Sequence, residues 1–346
     1  MTTQMAAEIA AQPVAVADTF AALLPQRPEL RAVAAGRRRV LFAARGSSDN
    51  AAIYGRYVLE THAGVSAALA SPSLATHYRA SLDLDDAVMV CVSQSGSTAE
   101  IVETAEWARR CGAVVVGITN VADSELASIS DVPLVTQAGP EYAVPATKSY
   151  LAQLAAMAVL GTALAPEPTS LDEQLARVPE QIARLLGESD GTADAVAALA
   201  EARYTVVSGR GLLMGTALEV ALKLEETCLR PVRGYSYADL RHGPISVVAD
   251  GVVAVLVAAQ DGPLAGAMAE LAADLDARGA ATIGIGGDPA FAQACGVHLA
   301  GPDLPELLAP FGAVVPGQIV VERLARTWGL DPDNPRGLSK VTQTDR

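Results

Sequence analysis

Short apolar runs alternate with stretches of helical pattern through the first half of the chain. Residues 39–44 (RVLFAA), 65–70, 88–92, 113–119 and 131–136 each read as a strand, with amphipathic or apolar helical segments between them. The run Val88, Met89, Val90, Cys91 and Val92 carries no polar side chain, the pattern of a central parallel strand covered on both faces. Strands alternating with helices predict right-handed βαβ units on a parallel sheet. Residues 1–24 read as a helical arm broken at Pro13, with a second helix ending near Pro25. Residues 142–149 (YAVPATKS) lead into a long apolar helix reaching about Leu164, and Pro166, Glu167, Pro168, Thr169 and Ser170 mark a linker before a helix from Leu171.

The second half repeats the first. Tyr204 to Val207 reads as a strand ending in Ser208, Gly209, Arg210 and Gly211, like the strand that ends in Arg45, Gly46, Ser47 and Ser48. The steps from Gly46 to Glu60 and from Gly211 to Glu225 are both fourteen residues. Residues 252–257 correspond to 88–92 as the next buried strand. These patterns give an α/β protein expected to divide into an arm (1–24), a first domain (25–168), a second (169–328) and a tail (329–346).

The exits of the two buried strands differ. After Val92 the chain reads Ser93, Gln94, Ser95, Gly96, Ser97, Thr98, offering hydroxyls around a glycine just ahead of a helix. Inward-turning N–H groups and a helix N-terminus favour an anion such as phosphate. The plainer reading is a capping box formed by Ser97 and Glu100. After the corresponding strand the chain reads Ala258, Ala259, Gln260, Asp261, Gly262, Pro263, where an acid stands in place of the hydroxyls. The fold alone therefore does not demand the hydroxyl turn, and one binding site per chain is expected, in the first domain.

Composition narrows the partners. The chain of 346 residues has a formal net charge of −14, which argues against nucleic acid or anionic membrane as a general partner. Its apolar segments are short or interrupted and the N-terminus lacks a basic region followed by an apolar core, so neither a membrane span nor export is expected. Cys91, Cys111, Cys228 and Cys295 lie far apart, without zinc spacing or a disulfide framework, and a cytoplasmic location is the expectation. Of 25 basic residues only Lys148, Lys223 and Lys340 are lysines. Lysine, unlike arginine, can lose its proton or form a Schiff base.

Glu219, Lys223 and Glu226 are spaced i, i+4, i+7 on one helix face, among leucines and alanines, where a carboxylate can act as a general base. A surface salt-bridge ladder is the competing reading. His242 stands in a stiff Arg-His-Gly-Pro loop, whereas His62 and His298 read as structural or surface residues and His77 is ambiguous. The tail from Asn334 to Thr344 is punctuated by Pro335 and Gly337 and carries Lys340.

Taken in order, RGSS at 45–48, SQSGST at 93–98, ATK at 146–148, EVALKLEE at 219–226, LRHGP at 240–244 and NPRGLSK at 334–340 resemble the sugar isomerase (SIS) family. Within it, the resemblance is to the isomerase half of glucosamine-6-phosphate synthase and to stand-alone amino-sugar-phosphate deaminases. It implies two tandem flavodoxin-like domains, a homodimer with shared active sites, and a sugar phosphate held by the first domain. By position it implies substrate contacts from Ser47, Ser48, Ser93, Gln94, Ser95, Thr98, Val144 and Ala146. It further implies Glu226 as enolisation base, Lys223 as its neighbour, His242 as a ring-opening residue supplied by the partner subunit, and Lys340 as a tail lysine over the sugar. Ser47, Ala146 and Asp239 depart from the Thr, Ser and Glu of the synthases, leaving the sugar substituent open. No metal or organic cofactor is implied, because the substrate's carbonyl or imine is itself the electron sink.

Residue 2 is Thr and no Cys precedes Cys91, so the glutaminase nucleophile of the synthases is not expected here. The expected reaction is then glucosamine 6-phosphate to fructose 6-phosphate and ammonia. A fructosamine-phosphate deglycase, or an isomerase or deaminase of a galactosamine-type phosphate, is the alternative enzyme. A non-catalytic sugar-phosphate sensor is the alternative class, although a DNA-binding basic face is missing and such a protein has little need of Glu226, His242 and Lys340 together.

Overall fold

The computed structural model describes residues 2–166 and 171–340. The linker residues 167–170, including the expected domain boundary, and tail residues 341–346 lie outside the described residues. The chain divides into two compact units. One comprises residues 14–141, 148–173 and the tail from 339; the other comprises the N-terminal residues up to 13, residues 142–147 and residues 174–338.

In the first of these units, strands β1 (Arg39–Ala43), β2 (Ser66–Leu69), β3 (Ala87–Val92), β4 (Val114–Thr119) and β5 (Val132–Val135) form a parallel sheet in the order 2-1-3-4-5. β3 is buried at every position, as its unbroken apolar run requires. Cys91 sits within it, and burial pushes its thiol up to about 12, so it behaves as a core side chain. The Lys148–Leu164 helix is buried along nearly its whole length and packs against the Ser47–Val58 helix. There a Cβ on Gly55 would fall 2.6 Å from Met157 Sδ, so glycine permits the close approach.

In the second unit, β6 (Tyr204–Gly209), β7 (Val232–Ser236), β8 (Val252–Ala258), β9 (Ala281–Gly286) and β10 (Val297–Leu299) are again parallel, in the order 7-6-8-9-10. This is the same order as in the first sheet, confirming the repeat. Val40 pairs with Ala67 and Val88, and Thr205 pairs with Val232 and Val253, so a constant shift of 165 positions (40 to 205, 67 to 232, 88 to 253) relates the two. The paired glutamates have one structural job: Glu60 Oε1 accepts from Ala67 N at 3.3 Å, and Glu225 accepts from Val232 N, each bracing the second strand of its sheet. Strands β7, β9 and β10 carry weak sequence signals, since β7 is largely polar, β9 contains Gly284 and β10 has three residues.

The arm begins differently from its sequence pattern. Its helices are Gln4–Ala10 and Gln12–Leu23, so Pro13 lies in the first turn of the second helix, where its missing N–H costs nothing, instead of breaking one. The free N–H groups of Gln4 and Met5 donate to the Asp333 carboxylate at 2.9 and 2.8 Å. Among the described residues no single helix is long and apolar enough to cross a membrane.

Candidate functional site

In the first sheet, Ala43 of β1 pairs with Cys91 of β3, so the turns that follow leave side by side. This is the topological switch point, where open α/β sheets bind their ligands. Gly46, at φ +56°, caps the Ser47–Val58 helix and has nothing within 4 Å of where a Cβ would stand. Ser47 is half-buried and Ser48 buried in the first turn of that helix. Asp49 beside them has its carboxyl raised by burial, with the Arg45 charge opposing the shift.

The second turn is held by its own hydroxyls. Ser93 Oγ and Thr98 Oγ1 lie 3.0 Å apart, and Ser95 Oγ accepts from Ser97 N at 3.3 Å and from Ser97 Oγ at 3.0 Å. The Gln94 carbonyl accepts from Asn120 N at 3.0 Å, tying the turn to the end of β4. Gly96 has φ +63°, and a Cβ there would meet Ser124 Oγ at 2.2 Å, so only glycine fits. The helix begins one residue later than a Ser97 cap would place it. Thr98 is the N-cap of the Ala99–Arg110 helix, and the Glu100 carboxylate takes Arg45 in a two-point grip.

The repeat shows what a closed version looks like. A Cβ on Gly211, the counterpart of Gly46, would fall 2.6 Å from Leu264 Cδ1, and one on Gly262 would fall 2.2 Å from Glu306 Oε2. Gln260 Nε2 donates to Asp303 Oδ1 at 3.2 Å, and Asp261 Oδ1 accepts from Glu306 N at 2.7 Å. The side chains that replace the hydroxyls thus anchor a neighbouring loop, and Leu264 and Glu306 fill the crevice.

The acid–base candidates lie in the second unit, on the Met214–Cys228 helix. Lys223 is 1% exposed; its Nζ lies 3.5 Å from Glu219 Oε1 and bonds to Glu226 Oε2. This is no surface ladder. Glu219 is fully buried, whereas Glu226 keeps a side-chain exposure of 25%, so of the two carboxylates only Glu226 is open to an incoming molecule. By the shift of 165, positions 219, 223 and 226 correspond to Tyr54, Val58 and Thr61, so the fold is built equally well without these charges. Glu225, the braced neighbour, has its carboxyl raised by burial and belongs to the scaffold.

His242 is exposed at the C-cap of the short Tyr237–Arg241 helix, and Gly243 at φ +126° makes the turn. His298 is structural, with Nε2 2.8 Å from the Gly286 carbonyl. Val144 donates its N–H to Asp333 O at 2.8 Å, and it and Ala146 are half-buried in the segment 142–147.

Lys340 belongs with the hydroxyl-turn unit, where its Nζ lies 2.9 Å from Glu141 Oε2. Glu141 also accepts from Ser149 N at 3.1 Å and Ser149 Oγ at 2.5 Å. Sequence reasoning overlooked Glu141, and also Glu8, whose carboxylate accepts from Tyr142 N and Ala143 N. The available signal was a carboxylate standing amid small and apolar residues: Glu141 in GPEYAVPATK and Glu8 in AAEIAA.

An open hydroxyl turn at one switch point, a filled one at the other and a Glu–Lys–Glu array around a buried lysine mark a tandem α/β protein whose two switch points differ. The SIS domain model matches residues 35–163. A solved candidate phosphosugar isomerase from Silicibacter pomeroyi shares 30% identity at a TM-score of 0.84, over 96% of this chain and 100% of that one. The C-terminal domain of glucosamine-fructose-6-phosphate aminotransferase from Francisella tularensis matches at 28% and 0.83, over 97% and 99% of the two chains. Among curated relatives, the glutamine–fructose-6-phosphate aminotransferase of Pyrococcus horikoshii is 32% identical over 97% of this chain, which spans 57% of that protein's length. The glucosamine-6-phosphate deaminase of Thermotoga maritima, 24% identical with a TM-score of 0.77 over 99% of this chain and 100% of that one, shares the fold. The chain belongs to the SIS family.

Proposed function

We propose that this protein is a phosphosugar isomerase of the SIS type that deaminates an amino-sugar phosphate, converting glucosamine 6-phosphate and water to fructose 6-phosphate and ammonia. The observation that carries this reading is the partly exposed Glu226 carboxylate gripped by a buried lysine, in a chain whose first switch-point turn stands open. The names of the relatives support the substrate class.

In this reading the hydroxyls of Ser47, Ser48, Ser93, Ser95 and Thr98, with the N–H groups of two helix starts, hold the phosphate. His242, contributed by the partner within a homodimer, assists opening of the sugar ring. Glu226 removes the C2 proton to give an enolamine and returns it to C1. The resulting C2 imine adds water and releases ammonia, with no oxidant or reductant required. Lys223 holds the Glu226 carboxylate in place by an ion pair and a hydrogen bond. The tail bearing Lys340 covers the sugar and excludes water from the enolamine.

The test is incubation of the purified protein with glucosamine, galactosamine and fructosamine 6-phosphates while ammonia and ketose phosphate are followed. Equimolar ammonia and fructose 6-phosphate from glucosamine 6-phosphate is the expected outcome. Turnover of the fructosamine or galactosamine compound alone would replace the substrate, and binding without turnover of any would leave a sensor.

A further inference from the structure

We propose that Arg45 and Glu100 form a positioning clamp for the anion site, in which Arg45 cancels a buried carboxylate that would otherwise repel the phosphate. The inference rests on the sugar-phosphate reading of that site.

Glu100 stands two residues beyond Thr98, in the first turn of the Ala99–Arg110 helix, with a side-chain exposure of 6%. A carboxylate there suits the helix dipole but opposes any anion bound at the same helix end. Arg45 answers it from the other side of the switch point, on the turn that follows β1. Its Nε lies 3.0 Å from Glu100 Oε2 and its Nη2 2.6 Å from Oε1, the parallel two-bond geometry that fixes orientation as well as charge. A third bond, from Nη1 to the Ala44 carbonyl at 3.2 Å, locks the guanidinium plane to its own strand. The clamp therefore joins the end of β1 to the helix that follows β3, across the crevice where the hydroxyls lie.

The repeat again provides the control. Arg210 is the counterpart of Arg45 by the shift of 165 (45 to 210), but its guanidinium lies over the Tyr237 ring at 4.3 Å. The first turn of the Ala265–Ala277 helix, counterpart of the helix carrying Glu100, contains no acid. Leu264, just ahead of that helix, fills the space beside Gly211. The acid and its clamp thus occur together with the open hydroxyl turn, and a sheet of the same order folds without them.

Arg45 and Glu100 are positioning residues, so their effect falls on binding more than on turnover. The measurements are the inhibition constant of inorganic phosphate, KM and kcat on the active sugar phosphate, and melting temperature, for Arg45→Ala, Glu100→Gln and the double variant, with Ser95→Ala as reference. Arg45→Ala, which takes the guanidinium away from the carboxylate, is expected to raise KM and the phosphate inhibition constant about tenfold or more with kcat within about threefold of wild type. The double variant removes both charges and is expected to return both binding constants to within about threefold of wild type. Phosphate binding in Arg45→Ala equal to wild type would overturn the clamp. So would a double variant as weak as Arg45→Ala, because Arg45 would then contact the anion itself. Should Arg45→Ala not fold, the double variant decides alone: binding within about threefold of wild type upholds the clamp and a loss of about tenfold overturns it. If Ser95→Ala also binds phosphate like wild type, the anion site itself is misplaced; if only Ser95→Ala weakens, the clamp alone fails.

Discussion

Lys340 Nζ lies 2.9 Å from Glu141 Oε2, 199 positions earlier in the chain, and the carboxylate it meets is fully buried. A tail lysine is normally solvated and mobile. This one is tethered to a carboxylate that also caps the start of the Lys148–Leu164 helix through Ser149, so the tail approach ends at a fixed point.

Replacing Lys340 with Arg keeps the charge and the tether but removes the capacity to carry a proton or act as a nucleophile near neutral pH. Turnover of the active sugar phosphate is expected to fall by roughly 10² or more with the melting temperature within about 2 °C of wild type. Chain termination after Asn334 keeps Asp333 at the arm helix and is expected to remain folded yet inactive. Unchanged turnover in both proteins would make the tail an ordinary terminus.

Ser95→Ala with Thr98→Ala removes hydroxyl donors to a charged group, each worth about 1.5–3 kcal/mol, so affinity for a sugar phosphate should fall at least about tenfold. Gln260→Ala in the repeat should leave that affinity intact and lower the melting temperature, since it releases Asp303 and the Leu304 carbonyl. Titration calorimetry and thermal melts separate the two effects, and equal losses of affinity would contradict a single working site.

Glu226→Gln keeps shape and hydrogen bonding while removing the base. Turnover is expected to drop by roughly 10²–10⁴, with exchange of the substrate's C2 hydrogen lost and binding retained. Lys223→Ala is the harsher change for stability. It withdraws the buried cation that Glu219 and Glu226 share, a loss on the order of 3–5 kcal/mol by denaturant unfolding. C2 exchange at the wild-type rate in the Gln variant would transfer the role to another base.

Glu306 gives a pH test of the filled crevice. Its carboxyl is raised by burial, with the Asp261 charge adding to the shift. A raised carboxyl pKa means that ionisation costs more in the folded than in the unfolded protein, so this contribution falls as pH rises through the usual carboxylate range. Glu306→Gln should therefore raise the melting temperature at pH 7 and lose that advantage below about pH 4. A constant difference across this range would place the effect elsewhere.

Much of the molecule was legible in the chain because the relevant signals are local. An all-apolar run such as 88–92 between turn signals reads as a covered strand, Gly46 and Gly211 mark turns at equal distance from Glu60 and Glu225, and residues i, i+4 and i+7 share a helix face whatever packs around them. Those features determined the parallel sheets, the duplication, the hydroxyl turn and the Glu–Lys–Glu array. Tertiary structure decided which partner each charged or open position received. Strand order brings Arg45 beside Glu100, 55 positions away in the chain; Gly211 has the same backbone freedom as Gly46, yet Leu264 fills the space beside it. Glu141 and Lys340 meet across nearly two hundred residues. Such pairings depend on where the folded backbone places distant side chains and on how much water it leaves between them, which no local pattern of residues encodes.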